Sequence, residues 1–558
     1  MADVDVPAAR GARRRGAARV HHSPAVADGG PTNDGGCVVI RFEGVTFRYP
    51  SNDLLRLDGV SFEIEEGELC LVIGPTGSGK STLLGSVNNL VPRFTGGTRT
   101  GRIVIDDRDT TMLHTRELAT TVGYVGQDPL AGFVTDNVEE ELAYSMEQLG
   151  FPEAEMRRRV EETLDLLGIA DLRRRALRTL SGGQQQRVAI GSVLASSPKV
   201  LVLDEPTSAL DPIAAEEVLA LISRLVRDLG TTVLLAEHRM ERVIEFADSV
   251  LLVSPDGSVA HGPVRDVLAT APIRPPLVEL GISQGWEPLP LTIREGRRLA
   301  APQRRTWAEH PPTLPRPFAP GSVTLTARGI VVKYPSVVAV RGVDLDLHRG
   351  QVTALMGRNG CGKSSLMWAI QGAGNKSAGR VESAGQVSLV PQTASDLLYL
   401  ASVEAECAAG DAVAGAAAGT TMALLRTLVP TIDADAHPRD LSEGQKIAVV
   451  LAVELVGNPD VVLLDEPTRG LDYAAKAVLG ETIQRMADDG RAVLIATHDV
   501  EMAARVCSRV VVMAEGEIVS DGPARDVLAS SQLLATQVAK VANPVPLLTV
   551  EEYDRASR

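Results

Sequence analysis

The sequence predicts an α/β fold that occurs twice in one chain of 558 residues. Short continuous apolar runs, such as residues 200–203 and 461–464, are typical of strands buried on both faces of a helix-covered parallel sheet. A glycine-rich loop lies between a strand-like and a helix-like segment at residues 74–81 and again at 357–364. The same order of motifs follows each loop, which indicates a duplication.

The spacing between matching landmarks defines the two copies. The loop lysines Lys80 and Lys363 are 283 residues apart. The spacing falls to 261 residues for the serines Ser181 and Ser442, and to 260 residues for the histidines His238 and His498. The second copy is therefore shorter, mostly between its loop and the next glutamine. We predict a disordered tail (1–36), a first copy (37–268), a proline-rich linker or C-terminal extension (269–320), a second copy (321–530) and a C-terminal extension (531–558).

The proline content of residues 269–320 opposes both helix and central strand, and it favours an extended tether packed on the surface. Within this segment, residues 288–292 (Pro-Leu-Pro-Leu-Thr) are similar to residues 544–549 (Pro-Val-Pro-Leu-Leu-Thr). We therefore expect each copy to carry its own small C-terminal extension.

The composition excludes several functional classes. A formal net charge of −15 disfavours a general nucleic-acid binder, which needs a basic surface. The five cysteines have no metal-ligand spacing and predict reduced thiols in the cytosol. No apolar stretch approaches the roughly 20 residues of a membrane helix, and residues 1–36 lack the apolar segment of a secretory signal. We expect neither a transmembrane segment nor a signal peptide.

The two glycine-rich loops match the phosphate-binding Walker A pattern. Glycines let backbone N–H groups surround phosphates, the lysine reaches the β- and γ-phosphates, and the serine hydroxyl ligates Mg²⁺. The first loop consists of Gly74, Pro75, Thr76, Gly77, Ser78, Gly79, Lys80 and Ser81, followed by Thr82, and the second of Gly357, Arg358, Asn359, Gly360, Cys361, Gly362, Lys363 and Ser364, followed by Ser365.

Each long apolar run ends in two carboxylates, Asp204-Glu205 and Asp465-Glu466. Ligands of open α/β folds collect at the C-terminal edge of the parallel sheet, where these acids are predicted to lie. The aspartate of each pair suits Mg²⁺ and the glutamate suits an attacking water. The alternative is that these acids only end a strand.

Two further motifs carry a family resemblance. They are Leu180-Ser181-Gly182-Gly183-Gln184 and Leu441-Ser442-Glu443-Gly444-Gln445. With these signatures the sequence resembles ATP-binding cassette (ABC) ATPases over nearly its whole length outside the tail and linker. The resemblance implies that each signature faces the γ-phosphate of ATP on the opposite cassette. Site one would then join Lys80, Asp204 and Glu205 to residues 442–445, and site two would join Lys363, Asp465 and Glu466 to residues 181–184.

The resemblance assigns roles to other matching positions. It implies adenine stacking by Tyr49 and Tyr334, Mg²⁺ and membrane-partner sensing by Gln127 and Gln392, γ-phosphate contact by His238 and His498, and interface-crossing D-loops at Asp211 and Asp472. The implied catalytic residues are Glu205, Glu466, His238 and His498, and the implied Mg²⁺ ligands are Ser81, Gln127, Asp204, Ser364, Gln392 and Asp465. For the tyrosines, simple core packing is the alternative.

Three kinds of ABC protein remain to be distinguished. A mechanical DNA-repair ATPase needs a long coiled-coil insertion, for which the spacing leaves no room. Soluble translation-associated members resemble this chain less, because their long charged helical linker contrasts with the proline-broken residues 269–320. Residues 127–144, 236–241 and 256–263 resemble energy-coupling factor (ECF) importers of vitamins, vitamin precursors or transition-metal ions. Another importer class, such as a sugar importer, is the nearest competitor.

The ECF resemblance implies partners and a location. They are a multispanning transmembrane coupling subunit, a substrate-capture membrane subunit and the cytoplasmic face of the cell membrane, with no nucleic acid. Glu139, Glu140 and Glu141 suit arginines of such a coupling subunit. A solvated acidic helix face is the alternative interpretation of these three residues.

The second copy departs from the first at its signature, where Glu443 replaces the glycine of position 182. If the carboxylate faces the γ-phosphate, like-charge repulsion makes site one close less readily than site two. If it points to solvent or pairs with Lys446, the two sites are equivalent in this respect.

Overall fold

The computed structural model of the protein describes residues 37–50, 54–208, 210–314, 318–335 and 337–558. The predicted disordered tail, residues 1–36, lies outside the described residues. Val38–Arg558 forms one unit by its internal contacts.

The first copy contains two sheets and the helices that cover them. Its strands are β1 (Val38–Arg48), β2 (Leu55–Glu65), β3 (Leu69–Ile73), β4 (Thr98–Ile105), β5 (Arg108–Asp109), β6 (Val122–Val125), β7 (Val200–Asp204), β8 (Thr232–Ala236), β9 (Ser249–Val253) and β10 (Val259–Pro263). Its helices are α1 (Lys80–Val87), α2 (Leu90–Arg93), α3 (Thr115–Leu118), α4 (Pro129–Gly132), α5 (Val138–Gln148), α6 (Glu153–Leu167), α7 (Gly182–Leu194), α8 (Pro212–Leu229) and α9 (Val264–Thr270).

Three helices join the copies: α10 (Pro276–Ser283), α11 (Ile293–Leu299) and α12 (Ala301–Glu309). The second copy has strands β11 (Val323–Tyr334), β12 (Val337–His348), β13 (Val352–Met356), β14 (Ala378–Ser383), β15 (Val387–Val390), β16 (Val461–Asp465), β17 (Ala492–Ala496), β18 (Arg509–Ala514) and β19 (Glu517–Pro523). Its helices are α13 (Lys363–Gln371), α14 (Val403–Ala414), α15 (Thr420–Leu428), α16 (Glu443–Leu455), α17 (Tyr473–Asp488), α18 (Val500–Val506), α19 (Ala524–Ser530), α20 (Gln537–Ala542) and α21 (Val550–Ser557).

The two copies share one topology. The main sheet has the order β6-β7-β8-β3-β9-β10 in the first copy and β15-β16-β17-β13-β18-β19 in the second. Five strands of each sheet run parallel and the last pairs antiparallel. A smaller antiparallel sheet, β2-β1-β4-β5 or β12-β11-β14, accompanies it. The predicted α/β fold with two cassettes is confirmed.

The central strands β7 and β16 are buried at all five positions. Successive side chains of a strand point to opposite faces, so each strand contributes to two cores. In the first copy, Leu201 and Leu203 pack under the helices, whereas Val200 and Val202 pack toward the antiparallel sheet. This double burial explains why the sequence runs are continuous rather than alternating.

The expected extended tether is wrong for much of residues 269–320, which form α10, α11 and α12. Proline is tolerated in the first turn of a helix, where its missing N–H has no intrahelical acceptor, and Pro276 occupies that place in α10. These helices share a hydrophobic core with α20 and α21 that includes Leu280, Trp307, Val541 and Tyr553. The segment therefore packs against the chain's C-terminal end.

The similar segments 288–292 and 544–549 fold in the same way. Thr292 and Thr549 each cap a helix by accepting a backbone N–H bond. Arg265 donates to the Leu289 carbonyl and to Glu295, and Arg525 donates to the Pro546 carbonyl and to Glu552. The two copies therefore share the same arginine hydrogen bonds as well as a similar sequence in these segments.

Candidate active site

Each glycine-rich loop ends in a glycine whose backbone has a left-handed conformation that only glycine can adopt at that place. Gly79 and Gly362 precede α1 and α13 with φ of 112° and 105°. A Cβ atom would lie 2.7 Å from the Arg56 carbonyl oxygen at Gly79 and 2.1 Å from the Ala339 carbonyl oxygen at Gly362. Each loop therefore turns sharply into the N-terminus of a helix, an arrangement that favours a bound phosphate.

The loop lysines are buried and point into their own loops. Lys80 Nζ donates to the carbonyls of Gly74 at 2.8 Å and Pro75 at 3.0 Å. Lys363 Nζ does the same with Gly357 at 2.9 Å and Arg358 at 3.2 Å. A cavity of about 320 Å³ beside the second loop is lined by Ala339, Asn359, Gly360, Gly362, Lys363, Ser364, Ser365, Gln392 and Glu466.

The aspartates at the ends of β7 and β16 are suited to a cation. Burial raises the pKa of Asp204 and of Asp465, the adjacent glutamate adds to the rise, and hydrogen bonds from Ser81 and Ser364 oppose it. Asp465 Oδ1 is buried without a hydrogen-bond partner among the described residues. A divalent cation would supply the missing positive charge, so the residues fit Mg²⁺.

The following glutamates adopt an unusual backbone conformation. Glu205 and Glu466 have φ of 52° and 49°, in the left-handed region that side-chain-bearing residues rarely occupy. Their backbone N–H groups donate to Ala236 at 3.0 Å and Ala496 at 2.8 Å, which ties each glutamate to the neighbouring strand. Such local strain at a sheet edge is typical of functional positions.

The predicted histidines meet these glutamates. His238 Nε2 lies 2.8 Å from Glu205 Oε1, and His498 Nδ1 lies 2.7 Å from Glu466 Oε2. Gln127 Nε2 also donates to Glu205 Oε2 at 3.0 Å. In each cassette the structure thus brings together side chains that are far apart in sequence.

The charges around Glu466 keep it ionised. Burial would raise its pKa, but His498 and Lys363 more than offset this and hold the pKa below its usual range. Burial lowers the pKa of His498, and the cation of Arg239, which belongs to the first cassette, lowers it further. An ionised carboxylate beside an imidazole is suited to orient a water molecule.

The two signatures open helices as the resemblance implies. Ser181 and Ser442 are the N-caps of α7 and α16, each with a reciprocal capping box to Gln184 or Gln445. Glu443, with 47% of its side chain exposed, lies 2.8 Å from Lys446 Nζ. The structure therefore contains the Lys446 pairing that the sequence left as one of two alternatives.

The two tyrosines differ in their surroundings. Tyr49 is half-buried, packs edge-on against Phe47 at 4.8 Å between ring centroids and contacts the Thr82 hydroxyl at 2.9 Å. Tyr334 is 46% exposed, and its hydroxyl lies 3.3 Å from Ser365. Tyr49 therefore packs partly in the core, whereas Tyr334 is more exposed to solvent.

The D-loop of the second cassette touches the phosphate loop of the first. The Thr76 N–H donates to Asp472 Oδ2 at 2.5 Å. Next to it, the Tyr473 hydroxyl donates to Glu241 of the first cassette. A buried ion pair between Arg239 and Asp499, 3.6 Å apart, also crosses the interface.

The sequence reasoning missed Arg239 and Asp499. A signal was present, because Arg239 directly follows His238, Asp499 directly follows His498, and the two residues carry opposite charges.

The acidic triplet 139–141 differs from the expectation. Glu141 is buried and accepts hydrogen bonds from the Val134 N–H and from both the N–H and hydroxyl of Thr135. The prediction that it is free to pair with a partner's arginine is therefore wrong, because its oxygen already caps this loop. Glu139 lies 3.6 Å from Arg173, and Glu140 is exposed.

Glu68, Cys70 and His261 form a separate group of potential metal ligands in the first cassette. The Ser249 hydroxyl lies among them, because it donates to Glu68 and lies 3.3 Å from His261 Nε2. Glu68 and His261 are therefore already engaged with the Ser249 hydroxyl.

Within the described part of the chain, no helix is long and apolar enough to cross a membrane. The ABC transporter family model matches residues 57–208 and 340–469. These ranges contain both phosphate loops, both signatures and both carboxylate pairs described above. The chain belongs to the ABC transporter ATP-binding family, and it is an ATPase.

Full-length relatives support the tandem arrangement. An ABC transporter ATP-binding protein of Streptomyces coelicolor is 52% identical over 93% of this chain and 100% of its own length. One from Methanosarcina mazei is 31% identical over 91% of this chain and 92% of its own length. A solved structure of ribosome-bound archaeal Pelota and ABCE1 contains a chain that shares the fold, with a TM-score of 0.61, 21% identity and coverage of 87% of this chain and 79% of that one.

Proposed function

We propose that this protein is the energy subunit of an ECF-like importer and drives a separate membrane subunit by closing its two cassettes around ATP. The observation that carries this proposal is a pair of exposed apolar surfaces, one just after Gln127 and the other just after Gln392. Leu130 and Val134 are 45% and 60% exposed, and Leu397 and Tyr399 are 36% and 80% exposed. Exposed apolar side chains clustered at one place favour a protein partner.

The first of these surfaces, Leu130 and Val134, connects directly to the chemistry. Gln127 donates to Glu205 at 3.0 Å, and the segment that follows it carries Leu130 and Val134. A partner that moves this segment would move the hydrogen bond to the glutamate. The acidic Glu140 beside it is complementary to a basic partner group.

The proposed roles of the site residues follow from their positions. Lys80 and Lys363 would neutralise the β- and γ-phosphates, and the serine–aspartate pairs, together with Gln127 and Gln392, would hold Mg²⁺. Glu205 and Glu466 would polarise the attacking water, with His238 and His498 on the γ-phosphate. Mg²⁺, when held by these residues, would supply positive charge to neutralise the phosphates.

The solute class rests on the resemblance of residues 127–144, 236–241 and 256–263 to ECF importers. Such a system takes up a vitamin, a vitamin precursor or a transition-metal ion through a multispanning coupling subunit and a capture subunit. The proposed location is the cytoplasmic face of the cell membrane.

The proposal can be tested by isolating the tagged protein from its own cells in mild detergent. We expect a multispanning membrane protein to copurify, and purified complex in vesicles to hydrolyse ATP faster when the transported solute is supplied. Val134→Asp combined with Tyr399→Asp should release the membrane protein. The matched control is Val519→Asp combined with Val478→Asp, which introduces the same two charges at exposed positions outside the two surfaces (61% and 46% exposed). This control variant should retain the membrane protein.

Two outcomes would contradict the proposal. Retention of the membrane protein by the Val134→Asp, Tyr399→Asp variant would place the docking surface elsewhere. Cosedimentation with ribosomes, in the absence of any membrane partner, would favour a soluble translation-associated ATPase.

A further inference from the structure

The residues that follow the two switch histidines lie at equivalent places in the two cassettes and contact each other. Arg239 follows His238, and Asp499 follows His498, so both pairs are 260 residues apart. Arg239 Nη2 lies 3.6 Å from Asp499 Oδ2. Where a twofold axis relates two similar units, equivalent residues of the two units can touch only at that axis.

Both members of this pair are buried, with 10% and 6% of their side chains exposed. Lys476 Nζ of the second cassette also lies 2.8 Å from Asp499 Oδ2. Burial alone would raise the pKa of Asp499, but Lys476 and Arg239 hold it far below its usual range. The carboxylate is therefore ionised and depends on cations from both cassettes.

We propose that Arg239 and Asp499 are specificity-determining residues that make each cassette pair with the unlike cassette and exclude closure of two like cassettes from separate chains. At the twofold axis of a like pair, Arg239 would face a second Arg239, or Asp499 a second Asp499. Two buried like charges repel strongly. Each Arg239 would lose Asp499, and each Asp499 would lose Arg239 and keep only Lys476 of its own cassette. The excluded partner is a second copy of this chain, and the inference does not depend on which membrane protein the ATPase drives.

A neighbouring contact between the cassettes also requires two unlike cassettes. Tyr473, directly after the D-loop aspartate of the second cassette, donates to Glu241 of the first. The equivalent position in the first cassette is Pro212, which has no hydroxyl group to donate. Two first cassettes would therefore lose this hydrogen bond as well as meeting arginine with arginine.

The decisive experiment uses two full-length variants with complementary defects. Arg239→Asp places aspartate against Asp499 within one chain, and Asp499→Arg places arginine against Arg239. Each variant alone should lose at least about tenfold in ATPase rate, since a buried like-charge contact replaces an ion pair. In a mixture, the first cassette of each chain meets the second cassette of the other with opposite charges.

We expect the mixture to recover ATPase activity with a second-order dependence on protein concentration, and its recovered species to have twice the mass of one chain. The matched control is Arg509→Asp mixed with Asp521→Arg, because this ion pair lies wholly within the second cassette. Exchange of whole cassettes cannot restore it. The control mixture should show only the mean of its two separate activities.

Full activity of either charge-reversed variant alone would overturn the proposal. So would failure of the mixture to recover while both variants keep wild-type unfolding midpoints. If the reversed chains do not fold, a cycle of Arg239→Met, Asp499→Asn and their combination decides the question. We expect the double variant to be more active than Asp499→Asn alone, because the latter leaves a buried arginine without its interface partner. Additive losses would exclude the coupling.

Discussion

The backbone N–H of Thr76 in the first cassette donates a hydrogen bond to the carboxylate of Asp472 in the second, at 2.5 Å. Asp472 also caps α17 by accepting the Ala475 N–H at 2.8 Å. One side chain thus links the start of a helix in one cassette to the phosphate loop of the other. Burial would raise the pKa of Asp472, but the hydrogen bonds from Ala475 and Thr76 hold it below the usual range.

The first prediction concerns this crossing bond. We expect Asp472→Ala to lower the ATPase rate by about tenfold, because the loop loses a charge-assisted hydrogen bond. The lost helix cap should cost about 1 kcal/mol of unfolding free energy. Ser402→Ala removes the cap of α14 and serves as the control for that loss. Equal ATPase rates in the two variants would show that the crossing contact has no role in turnover.

The second prediction tests the phosphate loops. The Lys80→Ala, Lys363→Ala double variant should lose at least about a hundredfold in Mg²⁺-dependent ATPase rate, because each lysine is expected to stabilise charge on the transferred phosphate. Substitution of the exposed Lys333 and Lys376 by alanine matches the loss of two positive charges and should have little effect. Substantial hydrolysis by the first variant, measured as released phosphate, would refute the site assignment.

The sequence could predict the parts of the site whose chemistry requires particular residue types at adjacent positions of the chain. A phosphate loop requires glycine at Gly79 because the backbone turns left-handed there against a neighbouring carbonyl. Sheets buried on both faces require continuous apolar strands, and the ends of β7 and β16 place Asp204 and Asp465 each at the C-terminal edge of its own sheet. These features involve few residues, close together in sequence.

The parts that could not be predicted depend on contacts between distant segments. The opposite charges of Arg239 and Asp499 can be read from the sequence, but their pairing depends on the contact between the two cassettes, which no local pattern predicts. The sequence predicts Glu141 as a surface carboxylate, but in the folded protein the backbone N–H groups of Val134 and Thr135 donate to it. The helices of residues 269–320 form despite many prolines because they pack on α20 and α21.

The third prediction addresses the signature of the second cassette. In the proposed site one, the signature of the second cassette faces the γ-phosphate, and the 2.8 Å pairing of Glu443 with Lys446 offsets the charge of the carboxylate. Glu443→Gly should therefore change the ATPase rate less than about twofold. Lys446→Ala should lower the rate several-fold by leaving the carboxylate without this cation, and adding Glu443→Gly to it should restore the rate. A Lys446→Ala defect that persists in the double variant would show that the lysine acts in another way.

The fourth prediction concerns the core formed by the two C-terminal extensions. Tyr553 is fully buried against Trp307, with ring centroids 4.8 Å apart, and its hydroxyl has no hydrogen-bond partner among the described residues. Tyr553→Phe should leave the free energy of unfolding unchanged or raise it, whereas Tyr553→Ala should lower it by about 3–5 kcal/mol. Tyr399, 80% exposed, provides the control, and its replacement by alanine should change stability by less than about 0.5 kcal/mol. Denaturant unfolding measures all three, and a large loss in Tyr553→Phe would reveal a buried partner for the hydroxyl.

The last prediction concerns Glu501, which lies at the interface beside Glu241 and Asp499. Burial raises the pKa of Glu501 to about 8, and the two neighbouring carboxylates add to the rise, while the Gln537 N–H and Lys540 oppose it. The folded protein therefore holds the proton up to about pH 8, whereas the unfolded chain releases it near 4.5. The resulting stabilisation is complete below pH 4.5, declines as the pH rises and is lost above about 8.

Glu501→Gln cannot ionise, so the difference in unfolding free energy between wild type and this variant isolates the effect. We expect wild type to lose stability relative to the variant by up to about 1.4 kcal/mol for each pH unit between 5 and 8. Glu404→Gln, at an exposed position of α14, should show no such slope. Denaturant unfolding at a series of pH values measures the difference. A difference between wild type and Glu501→Gln that stays constant across this range would mean that Glu501 does not hold its proton in the folded protein.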